Sequence, residues 1–452
     1  AMAVAGAAVI GAAPDALAAT ANGGPGTPST WNATGGIQGV ATSLGQNSKV
    51  WYTLGNGALE NVFYPQTDNP DTYGLQYYVT DGSSFTDNEI SNTTHAVTLA
   101  DPHSLTWEQT NTAKNGKYTI TKTYVADPAR SVVLVQTTFQ NLSSTPLYLY
   151  ADYDPQLNNQ GMGNNGSTDS SGDLVAVNGP VSSAMAASTG FSSASTGYIG
   201  TSRRGAPPLV NNRSLTSIYS GTSSSGHIDQ VGQIPVASSG STTFTLALGF
   251  DTSESAAVSD VSASLASGFS TVEASYEAGW HTWMDGLNAA PASVSTPALS
   301  AQYYIALMET KADEDKNYPG AFVASLSTPW GQSVSADGQG QHGYHLVWTR
   351  DEYQMATSLL AAGDTADAND ALDYLFRYEM ESSGQVKQNT WLNGNQMWGG
   401  NQMDEEADPI ILAYQLGRTS ASDFANVKLL ANWIASRGPY TGQERWEEQS
   451  GY

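Results

Sequence analysis

The sequence predicts two successive domains, a large antiparallel β-sandwich followed by an α-helical domain. Three observations predict this. Between about residues 37 and 254, apolar and polar residues alternate in short runs closed by Gly, Asn and Asp turns, the period of strands with one buried face. From about 255 the apolar spacing switches to that of helices. The length of 452 residues, 40% of them apolar, supports two or three cores rather than one.

Residues 1–20 are a run of small apolar residues ending in Ala16-Leu17-Ala18, a small-x-small cleavage pattern. We expect the remnant of a secretory signal peptide cut near Ala18, and hence a secreted protein. Residues 21–36, rich in Gly, Pro, Ser, Thr and Asn, read as a flexible connecting segment. The sandwich is expected over 37–254, with strands at 50–54, 75–79, 118–124, 173–177, 182–187, 215–219 and 243–250. Residues 131–139 and 147–153 read as a strand pair joined through 141–146, and 154–172 as a surface excursion.

Linker helices are expected over 255–296, ending near Trp280-His281-Thr282-Trp283. The helical domain then runs over 297–452, with helices at 297–311, 351–362, 366–380, 404–416 and 421–436. Thr296 is placed to cap the first of them, and Pro297 suits the first helical position because its missing N–H is not needed there. Gly363, Gly417 and Gly438 close three helices. The long loops between helices hold many of the Trp and Tyr, and function concentrates on such loops.

Charged residues make up only 13%, against the usual quarter or so, and the net charge is −25. That balance argues against nucleic acid and against anionic membranes, whose phosphates attract Lys and Arg. No stretch is long and apolar enough to span a bilayer. With no Cys, disulfides and thiol chemistry are excluded. Six His without H-x-x-x-H or H-E-x-x-H spacing argue against a dedicated zinc site. No cofactor is expected. The acidic composition leaves a structural calcium open, although no D-x-D-x-D-G loop occurs.

Four stretches carry chemistry. The first runs from Tyr318 to Gly331, where Trp330 reads equally as a sugar-stacking platform or as a core aromatic. The second joins Tyr344 and Trp348 to Arg350-Asp351 at a helix start. Asp351 there is a helix cap paired with Arg350, or a carboxylate for two vicinal hydroxyls beside a guanidinium that donates to a third. The third sets Trp391 and Trp398 among amides that include Gln402, before Asp404-Glu405-Glu406. At least two of those three carboxylates are expected simply to complement a helix N-terminus. The fourth is Trp446-Glu447-Glu448. A carboxyl packed against an indole loses solvation, holds its proton near neutrality and can act as a general acid, one of the two carboxyl groups that glycoside cleavage requires.

Together these strings resemble bacterial glucoamylases and glucodextranases of glycoside hydrolase family 15. The resemblance is carried by PGAFVASLSTPWG at 319–331, YHLVWTRDEY at 344–353, MWGGNQMDEEADPI at 397–410 and RWEEQSGY at 445–452, with VWYTLGNGALENVFYPQTDNPDTYGLQYYVTDG at 50–82 resembling the family's N-terminal domain. It implies an N-terminal β-supersandwich, a helical linker and an (α/α)6 barrel whose loops form a pocket. It implies a monomeric, extracellular bacterial enzyme that removes glucose from the non-reducing ends of α-glucans with inversion. By position, Glu447 corresponds to the general acid and Glu448 to a contact on the leaving-group side. Arg350 and Asp351 correspond to the pair holding the terminal glucose, and Tyr344 to a tyrosine beside the reacting carbon. Trp348, Trp398 and Trp446 correspond to pocket aromatics, with Trp330 and Gln402 as further contacts. The family's general base would lie past residue 452, and about half of the twelve barrel helices would be represented. We therefore expect a partial chain, inactive alone. Specificity for α-1,4 or α-1,6 linkages stays open. The other readings are an inverting disaccharide phosphorylase and a non-catalytic carbohydrate-binding surface protein.

Overall fold

The computed structural model describes residues 19–31, 36–200, 206–326, 344–400 and 402–437. Two large sheets packed face to face form its N-terminal half. Ten strands make the first, in the order Ala19–Ala21, Tyr219–Thr222, Asn165–Thr168, Leu174–Asn178, Val181–Ala187, Gly240–Asp251, Val132–Asn141, Tyr118–Ala126, Trp107–Ala113, Thr93–Leu99. The second runs Ser193–Tyr198, Ile228–Ile234, Tyr148–Pro155, Thr72–Thr80, Ala58–Phe63, Trp51–Gly55, Ile37–Thr42, with Thr86–Asn88 paired to Thr72–Thr80. The pairs are antiparallel except at the edge, where Ala19–Ala21 lies parallel to Tyr219–Thr222.

Period-two alternation is visible in Tyr118–Ala126, where Tyr118, Ile120, Lys122 and Tyr124 all point inward. Lys122 breaks the apolar rule at that inward slot. Its ammonium sits 2.8 Å from Glu89 and donates to the Gly57 carbonyl at 2.7 Å. The Glu89 carboxylate also accepts from the Tyr77 amide and from Asn111 Nδ2. A buried charge pair survives only when its remaining valences are satisfied in this way.

Three expectations need correction. Val132–Asn141 and Tyr148–Pro155 do not pair with each other. The first lies between Tyr118–Ala126 and Gly240–Asp251 in one sheet, and the second between Thr72–Thr80 and Ile228–Ile234 in the other. The short connection carries the chain across the sandwich, steadied by Asn141, whose side chain donates to the carbonyls of Thr145 and Ser238. The segment 154–172 is not a surface excursion, since Asn165–Thr168 is an internal strand of the ten-stranded sheet. The connecting segment 21–36 is anchored where it is described. Ala21 and Trp31 are buried, the Trp31 indole donates to Asn159 Oδ1 at 3.1 Å, and the Thr27 amide donates to the Ile199 carbonyl. The expected signal peptide falls almost wholly on 1–18, outside the described residues, and Ala19–Ala21 is already strand.

Two helices follow the sandwich, α1 (Glu254–Ser267) and α2 (Phe269–Asp285). Ser253 caps α1 by accepting from the Ala256 amide, and Gly268, at φ 80°, turns the chain into α2. On α2 the buried Phe269, Val272, Tyr276 and Trp280 form one helical stripe against the sandwich. Trp280 donates to the Thr42 carbonyl, while Trp283, one turn on, donates to Asp364 in the helical domain.

The helical domain contains α3 (Pro297–Ala312), α4 (Thr349–Ala362), α5 (Thr365–Tyr374), α6 (Met403–Gln415) and α7 (Ala421–Arg437) among the described residues. Thr296 caps α3 as expected, accepting from the Leu299 amide. A π-turn, Leu375–Glu379, ends α5. The sandwich and this domain share a core in which Trp51 and Phe63 pack with Val323, Val347, Tyr374 and Leu392. Polar ties reinforce it. Trp51 Nε1 donates to the Glu314 carbonyl, Lys316 donates to the Ser48 carbonyl, and the Thr67 amide donates to Asp315.

Candidate active site

A small antiparallel sheet in the helical domain organises the site. Its strands are Val347–Trp348, Asn389–Thr390 and Gln396–Trp398. In register, Asn389 lies opposite Trp348 on one side and Trp398 on the other. Directly opposed residues share a face, so both indoles stand on the same side of the sheet. Their rings meet edge to face, with centroids 5.4 Å apart and planes at 80°. The Trp398 amide donates to Asn389 Oδ1 at 2.9 Å, which fixes the turn of that strand.

The first of these strands runs straight into α4, so Arg350 falls in the first helical turn, two residues after Trp348. Gln402 stands at the start of α6. The two helix starts meet, and Arg350 Nη1 donates to Gln402 Oε1 at 2.8 Å and to Asp404 Oδ2 at 3.4 Å. The Asp351 carboxylate lies 4.0 Å from the other guanidinium nitrogen, Nη2. A planar guanidinium held on one edge by an amide and a carboxylate has a fixed orientation, which a lysine could not reproduce.

Burial raises the carboxyls around this fork. It pushes Asp351 up against the pull of Arg350. Burial, reinforced by the charge of Asp404, lifts Asp408 to about 7. Glu406 also reaches about 7, mainly through burial, although it accepts a bond from the Val386 amide. Glu405 is fully buried and pushed well above its ordinary range by burial and then by Asp404. Asp404, Glu405 and Glu406 do stand in the first turn of α6, as a helix-end role requires, but two of them are buried there. Asp404 engages Arg350, and the other two face inward.

The structure thus brings Trp348, Trp398, Arg350, Asp351 and Gln402 to one place. Tyr344 lies on the loop entering the sheet, with its side chain exposed and its carbonyl accepting from the Ser325 amide at 2.8 Å. Trp330, Trp446, Glu447 and Glu448 fall outside the described residues.

Sequence reasoning missed Asn389 and Glu379, and did not foresee the bond from Arg350 to Asp404. Glu379, the last residue of the π-turn, is fully buried and accepts from Thr390 Oγ1, so it braces the central strand of the small sheet from below. Its carboxyl is pushed up to about 8 by burial, against the Thr390 bond and Lys387. No local string announces that bond, because the π-turn that aims Glu379 is set by packing. Among the described residues, no group of three or more His, Asp or Glu is arranged to hold a metal ion. Two indoles and an oriented guanidinium with flanking carboxyl groups suit a neutral polyhydroxylated ligand.

Known proteins share this arrangement of sequence. Residues 21–285 match the family described as glucodextranase, domain N, and residues 298–385 and 376–452 match glycosyl hydrolases family 15. A glucoamylase from Clostridium sp. (strain G0005) is 38% identical over 434 residues, covering 95% of this chain and 60% of that protein. The crystal structure of a bacterial glucoamylase complexed with acarbose matches with a TM-score of 0.86 at 36% identity, covering 95% of this chain and 62% of that one. The chain therefore spans about three fifths of the length of these relatives. The close match shows the same architecture in this chain, a β-sandwich followed by a helical domain of the α/α-barrel class.

Proposed function

Since the chain belongs to the glycosyl hydrolases of family 15 that carry a glucodextranase-type N domain, we propose that it serves an exo-acting, inverting α-glucoside hydrolase releasing β-D-glucose from the non-reducing ends of starch-type α-1,4-glucans. The observation that carries the reading is the Arg350 fork, held by Gln402 and Asp404 beside the paired Trp348 and Trp398 rings. In this reading Arg350 and Asp351 take the hydroxyls of the terminal glucose. Trp348, Trp398, Trp446 and Trp330 wall the pocket, with Gln402 completing the polar rim. Tyr344 stands beside the reacting carbon, and Glu448 contacts the sugar on the leaving-group side.

Glu447 delivers its proton to the glycosidic oxygen as the C1–O bond breaks. Water adds from the opposite face and gives its proton to a second carboxylate, so the configuration inverts. A carboxyl shielded by an indole favours the protonated form the step consumes, and the sequence sets Trp446 next to Glu447. Neither a metal nor a cofactor takes part in these steps. Action as a secreted monomer belongs to the same proposal, with export resting on Ala16-Leu17-Ala18.

Glu447→Gln in the full-length protein tests the assignment. Glucose release from maltotetraose should fall about 10²–10⁴-fold, the usual worth of a general acid, while acarbose still binds. Turnover within a few-fold of the unmodified protein removes Glu447 from the role. A second reading, hydrolysis of α-1,6-glucan, is favoured by the glucodextranase match of residues 21–285. Faster glucose release from dextran than from starch would select it.

A further inference from the structure

A cavity of about 410 Å³ opens between the sandwich and the helical domain, apart from the site above. Its lining includes Tyr64, Gln66 and Asp68 from one sandwich loop, Asn158 and Gln160 from another, and Trp391 from the helical domain. None of the described active-site residues lines it. The volume falls at the lower end of the range for small-molecule sites, about 300–1,000 Å³.

The sandwich rim is built rather than loose. Asp71, fully buried, accepts from the Tyr64 amide at 2.8 Å and from the Asn158 amide at 2.6 Å, tying the two loops together. Asn158 and Asn159 both hold left-handed backbone, at φ 57° and 53°. Asparagine adopts that conformation more readily than most residues, so the turn they form is unstrained. On the helical side Asp68 Oδ2 accepts from the Leu392 amide at 3.3 Å, so the rim is tied directly to the loop that bears Trp391. That loop is a tight turn, closed by the Trp391 amide donating to the Asn395 carbonyl.

The lining also defines what would fit. It contains no Lys, Arg or His, which excludes an anion, and it has no extended aliphatic wall for a lipid. The side-chain amides of Gln66, Asn158 and Gln160 lie in the lining and make no hydrogen bond within the protein among the described residues. An amide both donates and accepts, as a hydroxyl does, and a half-buried indole offers a face for sugar C–H groups.

We propose that this cavity is a second oligosaccharide-binding site, in which a neutral glucan segment stacks on Trp391 and is held through its hydroxyls by Gln66, Asn158, Gln160 and Asp68. Trp391 and Trp398 belong to one hairpin, so the site places glucan on the same structural unit as the active-site indoles. The choice of glucan as ligand rests on the α-glucosidase reading. The cavity as a carbohydrate site rests on its own lining.

The test is calorimetric titration of the full-length protein with acarbose, an oligosaccharide analogue that is not turned over. The comparison is the double variant Gln66→Ala/Gln160→Ala, whose two side chains support no internal bond. Two binding events in the unmodified protein, with the weaker one lost or weakened more than tenfold in the variant and the tighter one kept, establish the site. One event, unchanged in the variant, overturns the second site and leaves the hydrolase reading standing. Two events that both persist in the variant overturn the assignment to this cavity. No binding at all overturns the hydrolase reading and this one together. Near-ultraviolet circular dichroism of the variant confirms that its fold is retained.

Discussion

Glu379→Gln should make the helical domain less sensitive to pH, and the structure sets the sign and the size. Glu379 is fully buried, its Oε1 accepts from Thr390, and its Oε2 has no hydrogen-bond partner. Burial holds its carboxyl at about 8, against 4.5 in an exposed chain. The folded protein thus keeps a proton that the unfolded chain has released, so the stability from this group is complete below about pH 4.5 and is lost as pH rises through 8. A tenfold change in proton affinity is worth about 1.4 kcal/mol, so the loss is at most about 5 kcal/mol, and water penetration will reduce it. Glutamine keeps an oxygen for Thr390 and cannot ionise. Urea unfolding at about pH 5 and about pH 9, followed by tryptophan fluorescence, should show the unmodified protein losing several kcal/mol between the two conditions beyond what the variant loses. The reasoning fails if the two proteins track each other in parallel across that range. Because Thr390 sits beside Asn389 in the sheet that carries Trp348 and Trp398, the ionised state should also loosen the indole pair.

Other expectations follow from the same contacts. Arg350→Lys removes the fork that reaches Gln402 and Asp404 and leaves a point charge. At about 1.5–3 kcal/mol for a hydrogen bond to a charged group, glucose release from maltotetraose by the full-length protein should fall about 10- to 100-fold, with the circular dichroism spectrum unchanged. Lys122→Met leaves the Glu89 carboxylate buried without its counter-charge. Urea denaturation near pH 7 should report about 3–5 kcal/mol of destabilisation, and the double variant Lys122→Met/Glu89→Gln should recover part of it.

The sandwich was legible wherever one face of a strand meets water. Tyr118–Ala126 shows its alternation plainly. Val181–Ala187, buried at every position, reads from its small and apolar residues instead. Strand partners were not legible, because alternation says which face is buried and nothing about which neighbour lies alongside. Hence Val132–Asn141 and Tyr148–Pro155 read as a hairpin although they belong to opposite sheets. The short strands Asn165–Thr168 and Ser193–Tyr198 are almost wholly Ser, Thr, Gly, Asn and Ala, a composition shared with loops. The helices were clearer, since Thr296-Pro297 and Gly363 mark ends by local chemistry.

The site was legible as strings and obscure as a network. Trp348 and Arg350 lie two residues apart in the sequence, whereas the partners that orient them, Asn389, Gln402 and Asp404, arrive from about forty residues or more downstream. Acidic residues in a first helical turn ordinarily complement the dipole. Only the packing of α4 against α6 reveals that Glu405 and Glu406 are buried.

The core that the two domains share has a consequence for how the molecule is made. Translation delivers the sandwich first, and Trp51 and Phe63 then stand on its surface as a bare apolar step. The later segments bearing Val323, Val347 and Leu392 must land on that step. Domains fold as units in order of synthesis, so the sandwich acts as an internal scaffold for its successor. A helical domain expressed without it would expose Ala321, Val323, Val347 and Leu392 to solvent and to one another across molecules. Strategies that trim this protein to its helical half should therefore keep the sandwich, as one keeps the mould until the casting has set.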